Sequence, residues 1–206
     1  MNQNKPNISI VILAAGASSR MGSPKQLLKW GNDSLLNHTI KTALRVDVSE
    51  IIVVLGANCK LIETDIKQHP VTILKNENWK LGLGKSIAFA TEYVINSNSK
   101  SQGILVTLAD QPLINSDYLN EMIQDFSPDE SQIIATAYTD EKKGVPVLFD
   151  AVYFEELTKL SNDEGAKALL KAYDSFVKTL IPPVKNVDLD SKEDYETLHK
   201  ANFKTK

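Results

Sequence analysis

SIVILAAGASSRMGSPKQLL, Ser9 to Leu28, opens as a strand and continues as a loop built to meet an anion. Ser9 to Leu13 is an apolar run rich in β-branched residues, the pattern of a strand buried on both faces. Comparable runs follow at Ile51–Leu55, Val71–Leu74, Ile104–Leu108, Ile133–Tyr138, Val145–Phe149 and Phe176–Ile181, and each reads as a buried strand. Helical periodicity lies between them. Leu35, Leu36, Thr39, Ile40, Ala43 and Leu44 form one stripe behind the possible caps Asp33 and Ser34, and Ile87–Ile95, Tyr118–Phe126 and Lys192–Ala201 read as further helices. Alternating strands and helices predict an α/β fold in three layers, α/β/α and Rossmann-like, around a mostly parallel sheet. No Pro/Gly/Ser-rich linker, repeat or low-complexity tract divides residues 1–206, so one domain is expected.

In such a sheet, ligands sit beyond the carboxyl ends of the strands, which is where the loop after the first strand begins. Ala14, Ala15, Gly16, Ala17, Ser18 and Ser19 are all small, and the cations Arg20 and Lys25 follow. Small residues let backbone N–H groups approach phosphate oxygens, glycine permits the dihedrals of an anion nest, and two cations neutralise the remaining charge. The composition is that of a phosphate cradle. Two other glycine motifs do not complete: GLGKS at Gly82–Ser86 has Trp79 where a P-loop needs its first glycine, and Gly82-x-Gly84 is followed by Ile87 where a dinucleotide fingerprint needs glycine. Gly82, Leu83 and Ser86 are better placed at the start of a helix over Lys85–Ile95, whose free N–H groups favour an anionic or polar ligand.

The acidic residues suggest a metal. Asp110 emerges from the run Ile104–Leu108 at the carboxyl edge, with Pro112 ending strand pairing, a position from which one carboxylate can hold Mg²⁺ bridged to substrate phosphates. Asp188 and Asp190 alternate along an extended segment and share a direction, whereas Asp194 falls in the start of the last helix.

Composition narrows the classes. With 206 residues, 42% hydrophobic and 24% charged, the chain is neither disordered nor fibrous. The balance of 23 basic and 26 acidic side chains gives −3, and the lysines are scattered, so nucleic acid and anionic membranes are not expected partners. Residues 1–7, MNQNKPN, are polar, and Ile8–Ala15 is too short to span a bilayer, which predicts a cytoplasmic protein without a membrane segment. Cys59 is the sole cysteine, and His38, His69 and His199 lie far apart, so neither a disulfide framework nor zinc-ligand spacing exists.

LAAGASSRMGSPKQLL at Leu13–Leu28 resembles the signature of MobA-like nucleotidyltransferases, and especially of molybdenum cofactor cytidylyltransferases. The resemblance runs in order through NENWKLGLGKSIAFA (Asn76–Ala90), TLADQPLI (Thr107–Ile114), KGVPVLF (Lys143–Phe149), NDEGAKALL (Asn162–Leu170) and DLDSKED (Asp188–Asp194). It implies a nucleotide-diphospho-sugar transferase-like fold with a mixed sheet, and transfer of CMP from CTP to molybdenum–molybdopterin with release of pyrophosphate. It further implies Mg²⁺ as cofactor and a recipient molybdoenzyme as partner. By the same resemblance Arg20, Lys25 and Asp110 are catalytic. Leu13, Ala14, Ala15, Gly16, Ser18, Arg20, Lys25, Asn58, Gly82, Leu83, Ser86 and Asp110 bind nucleotide, and Asp110 and Asp190 bind metal. LAAG rather than the LAGG of guanylyltransferase relatives adds a methyl group at Ala15 near the base. Asn162, Lys167 and Lys192 depart from a glycine, an arginine and a proline that the family commonly has there, which bears on the acceptor, since lysine lacks the planar fork of arginine. Two alternatives stand beside this reading: a guanylyl- or other nucleotidyltransferase acting on a sugar phosphate or phosphorylated alcohol, and a non-catalytic carrier of the molybdenum cofactor.

Overall fold

The structure is a computed structural model that describes residues 5–97, 99–138, 142–182 and 188–203, with the backbone but not the side chain of Arg20. β1 (Ile8–Ala14) leads through a hairpin of β2 (Lys29–Trp30) and β3 (Asp33–Ser34) into α1 (Leu35–Ala43). β4 (Glu50–Leu55), α2 (Cys59–Ile66), β5 (Thr72–Lys75), α3 (Leu83–Asn96) and β6 (Gly103–Leu108) follow. The second half contains α4 (Ser116–Gln124), β7 (Ile133–Ala137), β8 (Lys143–Asp150), α5 (Phe154–Thr158), α6 (Lys167–Ala172), β9 (Val177–Leu180) and α7 (Lys192–Asn202).

Seven strands form one sheet in the order β5-β4-β1-β6-β8-β7-β9. β4, β1, β6 and β5 run parallel, β8 is antiparallel to both of its neighbours, and β9 is parallel to β7. The sheet is therefore mostly parallel and mixed, as expected. Each of the seven predicted apolar runs is a strand of this sheet, whereas the two-residue strands β2 and β3 and the helices α2, α5 and α6 carried too little periodicity to be read. The last helix, expected over Lys192–Ala201, closes one residue later at Asn202.

β1 shows how the layers arise. All seven of its residues are buried, and its side chains alternate between two cores: Ile8, Ile10, Ile12 and Ala14 pack with α1, α2 and α4, whereas Val11 and Leu13 pack with α3, α5 and α6. Helices thus cover both faces. Ser34 accepts a hydrogen bond from the Asn37 N–H and is the N-cap of α1, one of the two candidates for that position. No helix among the described residues is long and apolar enough to cross a membrane.

The chain leaves β1 for β4 and β5 on one side, then returns to β6 on the other. Between the carboxyl ends of β1 and β6 the strand order reverses, and the loops leaving these two strands diverge to open a crevice.

Candidate active site

The loop after β1 is pinned from behind by a side chain absent from the predicted site. Gln26, 1% exposed, donates through Nε2 to the carbonyls of Ala14 at 2.8 Å and Gly16 at 3.0 Å. The Ala15 carbonyl accepts from the Ala57 N–H at 3.0 Å, and Ser18 Oγ accepts from the Lys25 N–H at 3.0 Å. With three successive carbonyls engaged behind it, the loop offers its amide side to a ligand. Left-handed positions fall on Gly22 at φ 69°, as expected of glycine, and also on Ser18 at φ 54°. Gly16 lies outside that region, and a Cβ built there meets nothing within 4 Å, so its missing side chain keeps space open. Arg20 lies in a 3-10 turn, Ser19–Met21, and its side chain is outside the described residues.

The loop after β6 supplies Asp110, 8% exposed. Its Oδ2 accepts from the Lys25 ammonium, which also lies 3.7 Å from Asp190 Oδ1 and 3.5 Å from the Leu189 carbonyl. Burial pushes the Asp110 carboxyl above its ordinary range, against the opposing pull of the Lys25 charge. Asp110 Oδ1 is buried and has no hydrogen-bond partner among the described residues. His38 Nε2 lies 3.1 Å from the Pro112 carbonyl, and burial lowers the pKa of this imidazole, which favours a neutral ring donating to that oxygen and steadying the loop.

A third wall arrives from the far end of the chain. The Leu189 N–H donates to the Asp110 carbonyl at 3.1 Å, while its fully buried side chain packs with Trp30 and Leu35 beneath α7. Asp188 Oδ1 accepts from Gln111 Nε2 at 2.8 Å, and the same amide donates to the Tyr138 hydroxyl at 2.7 Å. Ser191 is the N-cap of α7 in a reciprocal capping box with Asp194, whose carboxylate is thereby engaged away from the site. Asp190 is left on the cleft side of that cap.

These walls enclose a cleft of about 380 Å³. Leu13, Ala14, Ala15, Gly16, Lys25, Gly82, Leu83, Ser86, Asp110 and Asp190 line it together, and Ser18 lines an adjoining hollow with Lys25 and Asp190. Asn58 does not line either; it begins α2 in a left-handed conformation at φ 55°. α3 starts at Leu83, two residues before the expected Lys85, because Gly82 at φ 101° turns the chain into it. A Cβ on Gly82 would stand 2.4 Å from Asp163 Oδ1, so only glycine fits against the 162–163 loop. Ser86 is not the cap. It lies in the first turn, 2% exposed, and accepts from Asn76 Nδ2 at 3.1 Å.

Trp79, Lys80 and Asp163 also line the cleft and went unread, as did Gln26. Gln26 alone carried a signal, a polar residue leading an apolar pair in Lys25-Gln26-Leu27-Leu28. The orphaned Asp110 Oδ1 fits a divalent cation that takes one or two carboxylates and completes its shell with water and phosphate. Among the described residues no group of three or more His, Cys, Asp and Glu side chains is arranged as a protein-only metal site.

Comparison with known proteins accords with this arrangement. The family described as the MobA-like NTP transferase domain matches residues 10–176. Nicotine blue oxidoreductase of Paenarthrobacter nicotinovorans is 28% identical over 172 residues, covering 81% of this chain and 82% of that protein. Bifunctional protein GlmU of Francisella philomiragia is 31% identical over 141 residues, covering 68% of this chain but only 30% of GlmU. Among solved structures, a nucleotidyl transferase from Methanothermobacter superposes with a TM-score of 0.84 at 21% identity, covering 97% of this chain and 99% of that one. A manganese complex of Rv0371c from Mycobacterium tuberculosis H37Rv superposes with a TM-score of 0.78 at 23% identity, covering 95% and 99%. The mostly parallel, mixed sheet and these likenesses show the nucleotide-diphospho-sugar transferase type of fold for this chain.

Proposed function

The chain belongs to the MobA-like NTP transferase domain family, and from that premise we propose that it transfers CMP from CTP to molybdenum–molybdopterin. The observation that carries the reading is the Lys25 ammonium held between Asp110 and Asp190 at the mouth of an amide-lined loop. Anion-binding and cation-binding groups there lie within one ion-pair distance of each other, as a metal–triphosphate requires.

In this reading the terminal phosphate of the acceptor attacks the α-phosphorus in line. A new P–O bond forms, the bond to the oxygen bridging the α- and β-phosphates breaks, and pyrophosphate leaves with the electron pair. The attacking phosphate is already ionised, so no general base is needed and the chain's work is alignment and charge stabilisation. The loop over Ala14–Ser18 and the start of α3 receive the phosphates, Lys25 and Arg20 neutralise them, and Leu13 and Ala15 border the base. Asp110, with Asp190 beside it, would hold Mg²⁺, which when bound supplies charge neutralisation across the phosphates. A manganese complex among the related folds supports a divalent ion. The acceptor rests on the sequence motifs. We take the protein to be one domain that acts in the cytoplasm and delivers its product to a molybdoenzyme.

The test is pyrophosphate release with Mg²⁺, molybdenum-loaded molybdopterin and each nucleoside triphosphate in turn. CTP is expected to give the highest kcat/KM. A larger value for GTP removes the cytidylyl assignment and keeps the class, and turnover only with a sugar phosphate replaces the acceptor. A parallel arm with a reduced nicotinamide cofactor and an oxidised dye addresses the relative named as an oxidoreductase. It is expected to show no dye reduction.

A further inference from the structure

A second hollow, of about 530 Å³, opens between the start of β8 and α6. It is lined by Lys142, Lys143, Lys167, Leu170, Lys171 and Asp174. Among the described residues its lining thus holds four lysines and one aspartate, in a chain whose net charge is −3. The lysines come from two stretches 24 or more residues apart and are brought together by the antiparallel entry of β8. Asp174 pairs with Lys143 at 2.6 Å and Lys142 lies over the Tyr138 ring, while Lys167 and Lys171, exposed and one helical turn apart on α6, add two further cations to the lining. Leu170, 6% exposed, and the aliphatic stems of the lysines give the hollow an apolar floor under a positive rim.

The hollow is tied to the cleft through one side chain. Tyr138 accepts the Gln111 amide from the cleft side, next to Asp110, and its ring carries the Lys142 ammonium at 5.4 Å on the other. The segment that frames the far side is shared as well: Asp163 lines the cleft and Lys167, four residues on, lines the hollow.

We propose that this hollow is an anion subsite for the body of the acceptor, which is therefore a molecule with a flat or apolar core and a second anionic group besides the attacking phosphate. The volume is that of a small-molecule site. Its position past Tyr138 sets the second anion on the acceptor side of Asp110, away from the loop after β1. The inference rests on the nucleotidyl-transfer reading for the word acceptor. The anion site itself stands on the lysines.

The test uses the full chain, ¹⁵N-labelled, saturated with Mg²⁺ and CTP so that the cradle is filled, and titrated with inorganic phosphate at constant ionic strength. Saturable shifts are expected at the amides of Lys143, Leu170 and Lys171, and their loss in the double variant K167E/K171E, both positions being exposed and outside the cleft. In the pyrophosphate assay the same variant is expected to raise the acceptor KM about tenfold while the KM for CTP is unchanged. Shifts that rise without saturating, or that persist in the variant, overturn the anion subsite. Saturable shifts with an unchanged acceptor KM overturn its role in acceptor binding. If CTP itself does not bind, the nucleotidyl-transfer reading fails, and the phosphate titration of the free protein still decides the subsite by the shifts at these three amides and their dependence on Lys167 and Lys171.

Discussion

The loop after β1 leads to Lys25, and the strap Asp188–Asp190 meets the ammonium of that lysine from the far end of the chain, and the two are held in place by different means. In the loop the side-chain bonds are local, Gln26 reaching back 12 residues to Ala14 and 10 to Gly16 and Ser18 reaching 7 forward to the Lys25 N–H, and only the Ala15 carbonyl looks further, to the Ala57 N–H. The strap reaches Lys25 across 164 residues and is held in place by Leu189 packing with Trp30 and Leu35. The first wall is set mainly by local hydrogen bonds, whereas the second depends on the docking of a helix that contributes nothing to the sheet. A site built this way is expected to have one side stiffened locally and another that detaches at a cost below global unfolding.

The comparison is sharpest at Lys25, where both walls converge. Lys25→Ala is expected to leave the fold intact and to lower pyrophosphate release by about two to three orders of magnitude, the scale for one preorganised charge. Arg20→Ala should act in the same direction, and near-wild-type turnover in either variant dismantles the cradle assignment. Asp110→Asn is expected next, with turnover falling about a hundredfold while nucleotide binding by calorimetry changes little and excess Mg²⁺ restores little. An unchanged Mg²⁺ titration would move the metal to Asp188 or Asp190. Asp190→Asn, on the strap alone, is expected to cost only several-fold.

Leu189→Ala tests the strap without touching a polar group. Removing a fully buried leucine costs about 2–5 kcal/mol locally. If the strap can detach by itself, the melting temperature falls by a few degrees while turnover drops about tenfold through misplacement of Asp188 and Asp190. Equal losses in both measures would show that strap and sheet unfold as one unit. The smallest effect is in pH. The cation needs an ionised Asp110, and burial holds its pKa above the ordinary carboxylate range, so Mn²⁺ binding is expected to fade as pH drops through that raised value. Lys25→Ala removes the opposing charge and moves the midpoint higher, and a downward move contradicts the placement of the ammonium beside Asp110.

Much of this could be read from residue order. The strands were legible because parallel strands buried on both faces are short apolar runs, and β1, β4 and β6 are each of that kind. Ser34 was legible as a cap because its bond to the Asn37 N–H spans three residues. Asp110 was legible because a carboxylate leaving a buried strand has one direction to go. The helix α2 was not, since only Ile62 and Ile66 in it are buried, too few to set a period.

By itself, then, the order of residues determined the α/β alternation, the small-residue loop and the identity of Lys25 and Asp110, all properties whose physical origin lies within about a dozen residues. Tertiary structure alone decided that Gln26 faces inward to pin the loop, that Asp188 meets Gln111, that Asp194 is consumed by a helix cap while Asp190 is not, and that scattered lysines become one basic hollow. Those outcomes depend on which distant segments the sheet order makes neighbours, a matter of the whole core's packing rather than of any local pattern.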